Sequence, residues 1–213
     1  MRYVIFTGGR IEKGKIITQS LKIADKIIAA DSGAKTALEW NYIPEAVIGD
    51  MDSIDTKTRD LLKKRGTVFV TYPATKNEAD TELAIQYAID NNATEIDIIG
   101  GIEGNRIDHI LANISLLAGT NIPVRYIHGA IIAWVEKGPK LVQIKGDIND
   151  LLSLIPLSKE VSHITTINLK YSLKNESLFF GKSRGISNIF TQKEVSVDMG
   201  EGQLLFVHIL NRS

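Results

Sequence analysis

Three observations predict a chain of α/β class that opens with a parallel sheet and closes as a small antiparallel sandwich or barrel. Up to about residue 127, short apolar β-type runs alternate with helical patterns, as strands joined by crossover helices do. From about residue 128 the texture changes to β-branched and aromatic segments punctuated by Gly, Asn and Ser, with no long helical pattern. Acidic residues close or follow the apolar runs of the first part at four places: Asp31, the pair Asp50 and Asp52, Asp80 and Asp108. If those runs are parallel strands, the carboxylates converge on one sheet edge, where open α/β sheets place their ligands.

Strands are expected over Tyr3–Thr7, Lys26–Ala30, Ala46–Ile48, Thr67–Thr71, Glu95–Ile99 and Val124–Ile127. Between them a helix over Asp55–Arg65 stops at Gly66, and a second over Asn77–Asn91 repeats Ala79, Leu83, Tyr87 and Ala84, Ala88 at helical spacing. A third is expected over Arg106–Ala118. The later strands are expected over Ala130–Val135, Lys140–Ile144, Leu151–Pro156, Ile164–Leu169, Ser177–Phe180, Glu194–Val197 and Gln203–Leu210. The expected domains are therefore 1–127 and 128–213.

Bulk properties narrow the function classes. The 213 residues include 44% hydrophobic ones, ample for a packed core. Lys+Arg and Asp+Glu both number 25, so there is no electrostatic reason to expect nucleic acid or an anionic membrane as partner. Cysteine is absent, which excludes disulfides, thiolate catalysis and zinc-thiolate sites and fits a reducing cytoplasm. The apolar run Tyr3–Phe6 is too short for a signal segment, and no stretch approaches the ~20 apolar residues of a membrane span.

Each motif has a functional and an ordinary explanation. Gly9–Ile16 nearly matches a phosphate-binding P-loop, but Ile16 stands where Ser or Thr must ligate magnesium, which favours a flexible turn with solvated basic residues. The glycines of Gly100-Gly101-Ile102-Glu103-Gly104 permit close backbone approach to phosphate ahead of a helix N-terminus, or simply a tight strand-to-helix turn. Gly49-Asp50-Met51-Asp52-Ser53 places two carboxylates where they can share one hard cation, or where Asp52 or Ser53 caps the next helix. Asn77 with Asp80, and Asn105 with Asp108, have the spacing of helix caps. Capping leaves out Lys76 and Arg106, cations beside helix starts where the macrodipole disfavours them unless an anionic ligand is present. His109 and Asn113 share a helix face at i, i+4, and a lone histidine there is more often structural than a metal ligand.

Taken in order, Asp31-Ser32-Gly33-Ala34, Gly49-Asp50-Met51-Asp52-Ser53, Lys76-Asn77-Glu78-Ala79-Asp80-Thr81-Glu82 and Gly101-Ile102-Glu103-Gly104-Asn105-Arg106-Ile107-Asp108-His109 resemble the thiamine pyrophosphokinase family. The resemblance spans nearly the whole chain. It implies a three-layer, Rossmann-like catalytic domain, a C-terminal β-sandwich contributing to thiamine binding and dimerisation, and transfer of pyrophosphate from ATP to thiamine with magnesium and release of AMP. Asn168-Leu169-Lys170-Tyr171-Ser172-Leu173 resembles the segment whose aromatic residue packs on thiamine, and Gly185-Ile186-Ser187-Asn188 resembles the Ser-Asn thiamine-binding turn. Asn168 replaces a usual Gly, Tyr171 a frequent Trp and Ala79 a frequent Thr; Asn is the non-glycine residue that best tolerates positive φ.

The expected roles follow. Asp50, Asp52 and Asp80 hold magnesium, with Asp31 or Asp108 completing the site. Lys76 and Arg106 neutralise phosphate charge, Asp80 or Asp108 accepts the proton of the attacking alcohol, and Gly33, Gly49, Ser53, Gly101, Gly104 and His109 join the nucleotide site. Tyr171 offers a face to the cationic thiazolium while Ser187 and Asn188 bind the pyrimidine side, with Asp80 and Asp108 close to the substrate and the pocket completed across a homodimer interface. The rivals are a pyrophosphokinase acting on another alcohol such as a hydroxymethyl-pterin, and a non-catalytic nucleotide or metal sensor.

Overall fold

The structure, a computed structural model, describes residues 1–211; the last two positions of the expected sandwich domain lie outside them. The chain divides into two compact units, Met1–Gly129 and a second from Ala130 onward.

In the first unit strands and helices alternate: β1 (Arg2–Phe6), α1 (Lys15–Ile23), β2 (Lys26–Ala30), α2 (Gly33–Glu39), β3 (Ala46–Gly49), α3 (Thr56–Lys64), β4 (Val68–Thr71), α4 (Asp80–Asp90), β5 (Glu95–Ile99), α5 (Ile107–Gly119) and β6 (Val124–His128). The strands pair in the order β6-β5-β1-β2-β3-β4, all parallel. Val4–Phe6 and Ile98–Ile99 are buried without interruption, as a parallel sheet covered on both faces requires. Asp97 breaks that apolar run at 0% exposure. It stands opposite Arg125 on β6, receives that guanidinium at 2.8 and 2.9 Å, and accepts the Ser20 hydroxyl from α1 at 2.6 Å, so the buried charge is fully partnered.

The helices bury one stripe each. Asp55 caps α3 by accepting from the Thr58 N–H at 3.0 Å, and Leu62 is its fully buried contact. α4 buries Leu83, Ala84, Ile85 and Ala88. α5 is different: only Asn113 and Leu117 are buried, while Ile107 and Leu111, one turn apart, are 70% and 61% exposed.

α1 and α2 were not expected. α2 has seven residues and α1 begins inside the glycine-bounded Gly9–Ile16 stretch, so neither carries a long helical period. α4 and α5 start after the asparagines: Ala79 and Arg106 occupy the cap positions and make no side-chain cap bond, so Asn77 and Asn105 do not cap. Neither Asp52 nor Ser53 caps α3, because Asp55 does.

The second unit is all antiparallel: β7 (Ile131–Lys137), β8 (Lys140–Lys145), β9 (Leu151–Pro156), β10 (Glu160–Ile167), β11 (Glu176–Phe179), β12 (Asn188–Ile189), β13 (Glu194–Met199) and β14 (Gln203–Ile209). Strands β12-β9-β14-β7 and β11-β10-β13-β8 form its two layers. Alternating inward residues such as Leu152 and Leu154, Leu204 and Phe206, Val142 and Ile144, and Val195 and Val197 make one core, the period-2 pattern of a sandwich.

Candidate active site

The first unit's sheet reverses direction beside β1: the chain steps outward through β2, β3 and β4, then returns to lay β5 on β1's other side. Ligands of open α/β sheets bind outside the carboxyl ends of strands at such a point. A cleft of about 630 Å³ lies there, built from the segments that follow β1 to β5. Asp31, Asp50, Asp52, Ser53, Lys76, Asp80, Gly101, Gly104, Arg106 and His109 line it; Gly33, Gly49 and Asp108 do not.

Two residues in the left-handed region aim the carboxylates. Asp31, at φ 41, is the first residue after β2, and its N–H donates to Ile48 O at 2.8 Å. Met51, at φ 66 with its side chain buried, turns the chain so that Asp50 and Asp52 on either side both reach the cleft. Non-glycine residues at positive φ cost energy and mark sites where geometry matters more than local comfort. Asp31, Asp50 and Asp52 each offer an oxygen, all within 4.8 Å of one another. Asp31 is 8% exposed, and its Oδ1 is buried without a hydrogen-bond partner. Burial pushes its carboxyl pKa up; the Ser53 hydroxyl and the Ser32 N–H pull the other way, and the Asp80 and Asp52 charges add to the rise. Three convergent carboxylates, one of which keeps a buried oxygen without a partner, have the donor chemistry of a hard divalent cation.

Asp80 stands beside this trio. Gly49, at φ 146, is pressed so close that an added Cβ would meet Asp80 Oδ1 at 3.0 Å and Asp31 Cβ at 3.1 Å, so this glycine lets β3's end and α4's start approach. Asp80 holds Lys76 Nζ at 2.7 Å, and Asp50 Oδ2 lies 3.7 Å from the same ammonium. The Asp80 hydrogen bond holds the Lys76 pKa above its ordinary value against burial, with further help from Asp50 and Asp31. Asp108, by contrast, is exposed and gripped by Arg106 through Nε at 2.9 Å and Nη2 at 2.6 Å. That grip holds its carboxyl well below the usual aspartate range.

The turn after β5 is tied down from beneath. Asn113 Nδ2 donates to Gly101 O at 2.6 Å, and His128 Nε2, buried at the end of β6, lies 2.8 Å from Glu103 Oε2. Asn113 and His109 both line the cleft, which is what their shared helix face is used for. Glu103, Thr7 and Gly8 also line it and were not singled out from sequence. The signal available for Thr7 was its position at the end of the first strand, the same signal that marked Asp31 and Asp50. The P-loop resemblance does not assemble: Gly9 reaches the cleft, but Lys13 lies over the Trp40 ring at 4.8 Å and neither it nor Lys15 lines the wall.

In the second unit Tyr171, Ser187 and Asn188 are brought together. Tyr171 N–H donates to Asn188 Oδ1 at 2.9 Å and Asn188 Nδ2 donates to Tyr171 O at 2.8 Å. Ile189 N–H donates to the same Oδ1 at 3.0 Å. Asn188 is 2% exposed, so its amide is spent on clamping Tyr171 rather than facing solvent. Tyr171 itself is half exposed, with Lys170 Nζ 5.5 Å from its ring centroid. Asn168 sits at φ 64 and Ser187 at φ 55, the first being the conformation expected of asparagine in a glycine's place.

Comparisons with known proteins identify the family. Residues 17–125 match the family model "Thiamin pyrophosphokinase, catalytic domain", and residues 141–204 match "Thiamin pyrophosphokinase, vitamin B1 binding domain". Thiamine pyrophosphokinase of Bacillus subtilis (strain 168) is 31% identical over 184 residues, covering 84% of this chain and 85% of that protein. The crystal structure of thiamine pyrophosphokinase from Bacillus subtilis superposes with a TM-score of 0.88 at 28% identity, covering 99% of this chain and 100% of the other. That of thiamin pyrophosphokinase from Geobacillus thermodenitrificans gives 0.84 at 25% identity, covering 100% and 99%. The chain belongs to the thiamine pyrophosphokinase family.

Proposed function

We propose that the protein is a thiamine diphosphokinase that moves the terminal pyrophosphoryl group of ATP to the hydroxyethyl oxygen of thiamine, releasing AMP. The observation that carries this reading is the carboxylate trio Asp31, Asp50 and Asp52 beside the Asp80–Lys76 pair, in a cleft at the sheet's switch point. The residues fit a magnesium ion: Asp31, Asp50 and Asp52 would hold it, and when bound it would offset negative charge on the phosphate oxygens.

The chain's own residues supply the rest. Lys76 and Arg106 are the cations of the cleft wall, suited to the charge that spreads over the transferring group. The Gly101–Gly104 turn leads into the N-terminus of α5, whose free N–H groups favour an anion. In the reaction the thiamine oxygen bonds to the β-phosphorus, the bridge to the α-phosphate breaks, and the hydroxyl proton must be taken up. Asp80 is the better acceptor than Asp108, because it lines the cleft while Asp108 is exposed and chelated by Arg106. Tyr171 would receive the thiazolium on its ring, Ser187 would meet the pyrimidine, and Asn188 would keep the aromatic in place.

We further propose a homodimer, supported by the exposed apolar Ile107 and Leu111 on α5, and a cytoplasmic location, which suits a chain without cysteine. No described helix is long and apolar enough to cross a membrane. The test is a chromatographic assay with ATP, magnesium and thiamine that follows AMP and thiamine diphosphate together. Equal, magnesium-dependent formation of both is expected; ATP binding without either product would sink the proposal.

A further inference from the structure

Lys76 is an odd presence in a site built for a cation. Its side chain is only 10% exposed, and its ammonium lies 2.7 Å from Asp80 Oδ1 and 3.7 Å from Asp50 Oδ2. Asp50 is one of the three residues whose oxygens converge, and Asp80 abuts Gly49 in the same corner. One ammonium thus bridges two carboxylates at the edge of the trio, in which the buried Oδ1 of Asp31 has no partner. The other cation of the cleft is placed differently: Arg106 is exposed and paired with Asp108.

We infer that Lys76 is a built-in counter-cation of the empty cleft: its ammonium holds Asp80 and Asp50 until a polyphosphate draws it away, so that the divalent ion enters with the nucleotide rather than ahead of it. The inference rests on the proposed metal and nucleotide site. Two cations cannot share Asp50 at short range without mutual repulsion, so a divalent ion entering alone must displace the lysine or take fewer ligands. A triphosphate offers the ammonium a more highly charged partner and frees both carboxylates. Metal and nucleotide are then coupled through this one side chain, and the coupling is reciprocal.

The test is Mn²⁺ binding followed by the EPR signal of the free ion, which needs no turnover. It uses the full-length protein, Lys76→Met and, as a control for simple loss of positive charge, Arg106→Met. Lys76→Gln serves if the methionine variant misfolds, with thermal melting confirming the fold of each. Without nucleotide, Lys76→Met should bind Mn²⁺ about tenfold more tightly than the parent, within the usual range of coupling between sites. Arg106→Met should leave Mn²⁺ affinity unchanged. With a non-hydrolysable ATP analogue present the order should reverse, because the variant has lost a phosphate contact.

Unchanged or weaker Mn²⁺ binding by Lys76→Met in the absence of nucleotide overturns the inference. So does equal tightening in Arg106→Met, which would be a general charge effect, and so does failure of the order to reverse. No Mn²⁺ binding by any variant, with or without the analogue, would instead overturn the metal site on which the proposed function rests.

Discussion

Replacing Asp31 by Asn should make the metal-free protein more stable and the metal-loaded protein less so. Asp31, Asp50 and Asp52 present oxygens within 4.8 Å of one another. Two unit charges at that separation repel by ~3.5 kcal/mol at an effective dielectric of ~20 and by ~0.9 kcal/mol in bulk water. Asp50 is only partly buried and Asp52 is exposed, so the weaker figure is the better guide, and removing Asp31's charge lifts two such repulsions, roughly 2 kcal/mol. Against this stands the poorer acceptance of the Ser53 hydroxyl and Ser32 N–H by an amide, about 1 kcal/mol. Asn tolerates the positive φ of position 31, so no backbone strain is added. The net gain of ~1 kcal/mol corresponds to a rise of about 2–4 °C in Tm for a chain of this size.

The sign with pH follows from the raised Asp31 pKa. A carboxyl whose folded-state pKa lies above its unfolded value contributes stability below the unfolded value and loses it as pH rises through the folded one. At neutral pH the ionised Asp31 is therefore a cost, and the melting temperatures of parent and variant should converge as pH falls below the ordinary aspartate value of 3.8. Saturating magnesium should reverse the order, since an ion at 100 times its Kd stabilises the parent by ~2.7 kcal/mol and the variant by less. The assay is thermal melting in EDTA and in magnesium across pH. A clear drop in the variant's Tm in EDTA at neutral pH would refute the reasoning and make Asp31 a structural hydrogen-bonding residue.

Asp52→Asn should abolish turnover with circular dichroism and Tm near the parent's, because Asp52 is exposed and caps no helix; near-normal activity would remove it from the metal role. Asn188→Ala leaves the Tyr171 backbone groups without their side-chain partner, so the KM for thiamine should rise by about tenfold or more while nucleotide affinity holds, a loss near the ~1–3 kcal/mol of unsatisfied buried groups. Titration of thiamine at fixed ATP checks this, and an unchanged KM would separate Asn188 from the vitamin site. Asp97→Ala leaves Arg125 to its longer contact with Glu95 at 3.5 Å and should cost about 2–4 kcal/mol in urea unfolding, less than a fully buried pair because Arg125 is partly exposed. A change in stability under 1 kcal/mol would show that water replaces the carboxylate without penalty.

The fold class was legible because it depends on local periodicity. Lys26–Ala30, Glu95–Ile99 and Leu151–Pro156 read as strands with the boundaries the structure has, since each is a short β-branched or apolar run between breakers. α2 was not legible, being seven residues long, nor was the two-residue β12, whose only definition is its pairing with β9. The caps misled for a related reason. Asn77 and Asn105 have the right residue type at nearly the right place, yet the chain continues as loop to Asp80 and Ile107, leaving Lys76 to fold back on Asp80 and Asp50.

By itself the sequence determined the alternation of strands and helices, the change to a sandwich, and the residue types gathered at strand ends, because hydrophobic period and turn chemistry act between near neighbours. It also carried the family, through four motifs taken together. Only the tertiary structure decided which carboxylates meet. Asp31 joins Asp50 and Asp52, Asp80 is held by Lys76, and Asp108 turns away to Arg106. Asp31 and the Asp50–Asp52 pair come from different βα turns, as do Asp50 and Lys76, and their distances depend on strand order, on the close approach at Gly49 and on the left-handed residues Asp31 and Met51. Electrostatics falls off over a few ångströms, so the charge arrangement of such a site exists only once the sheet has brought its edges together.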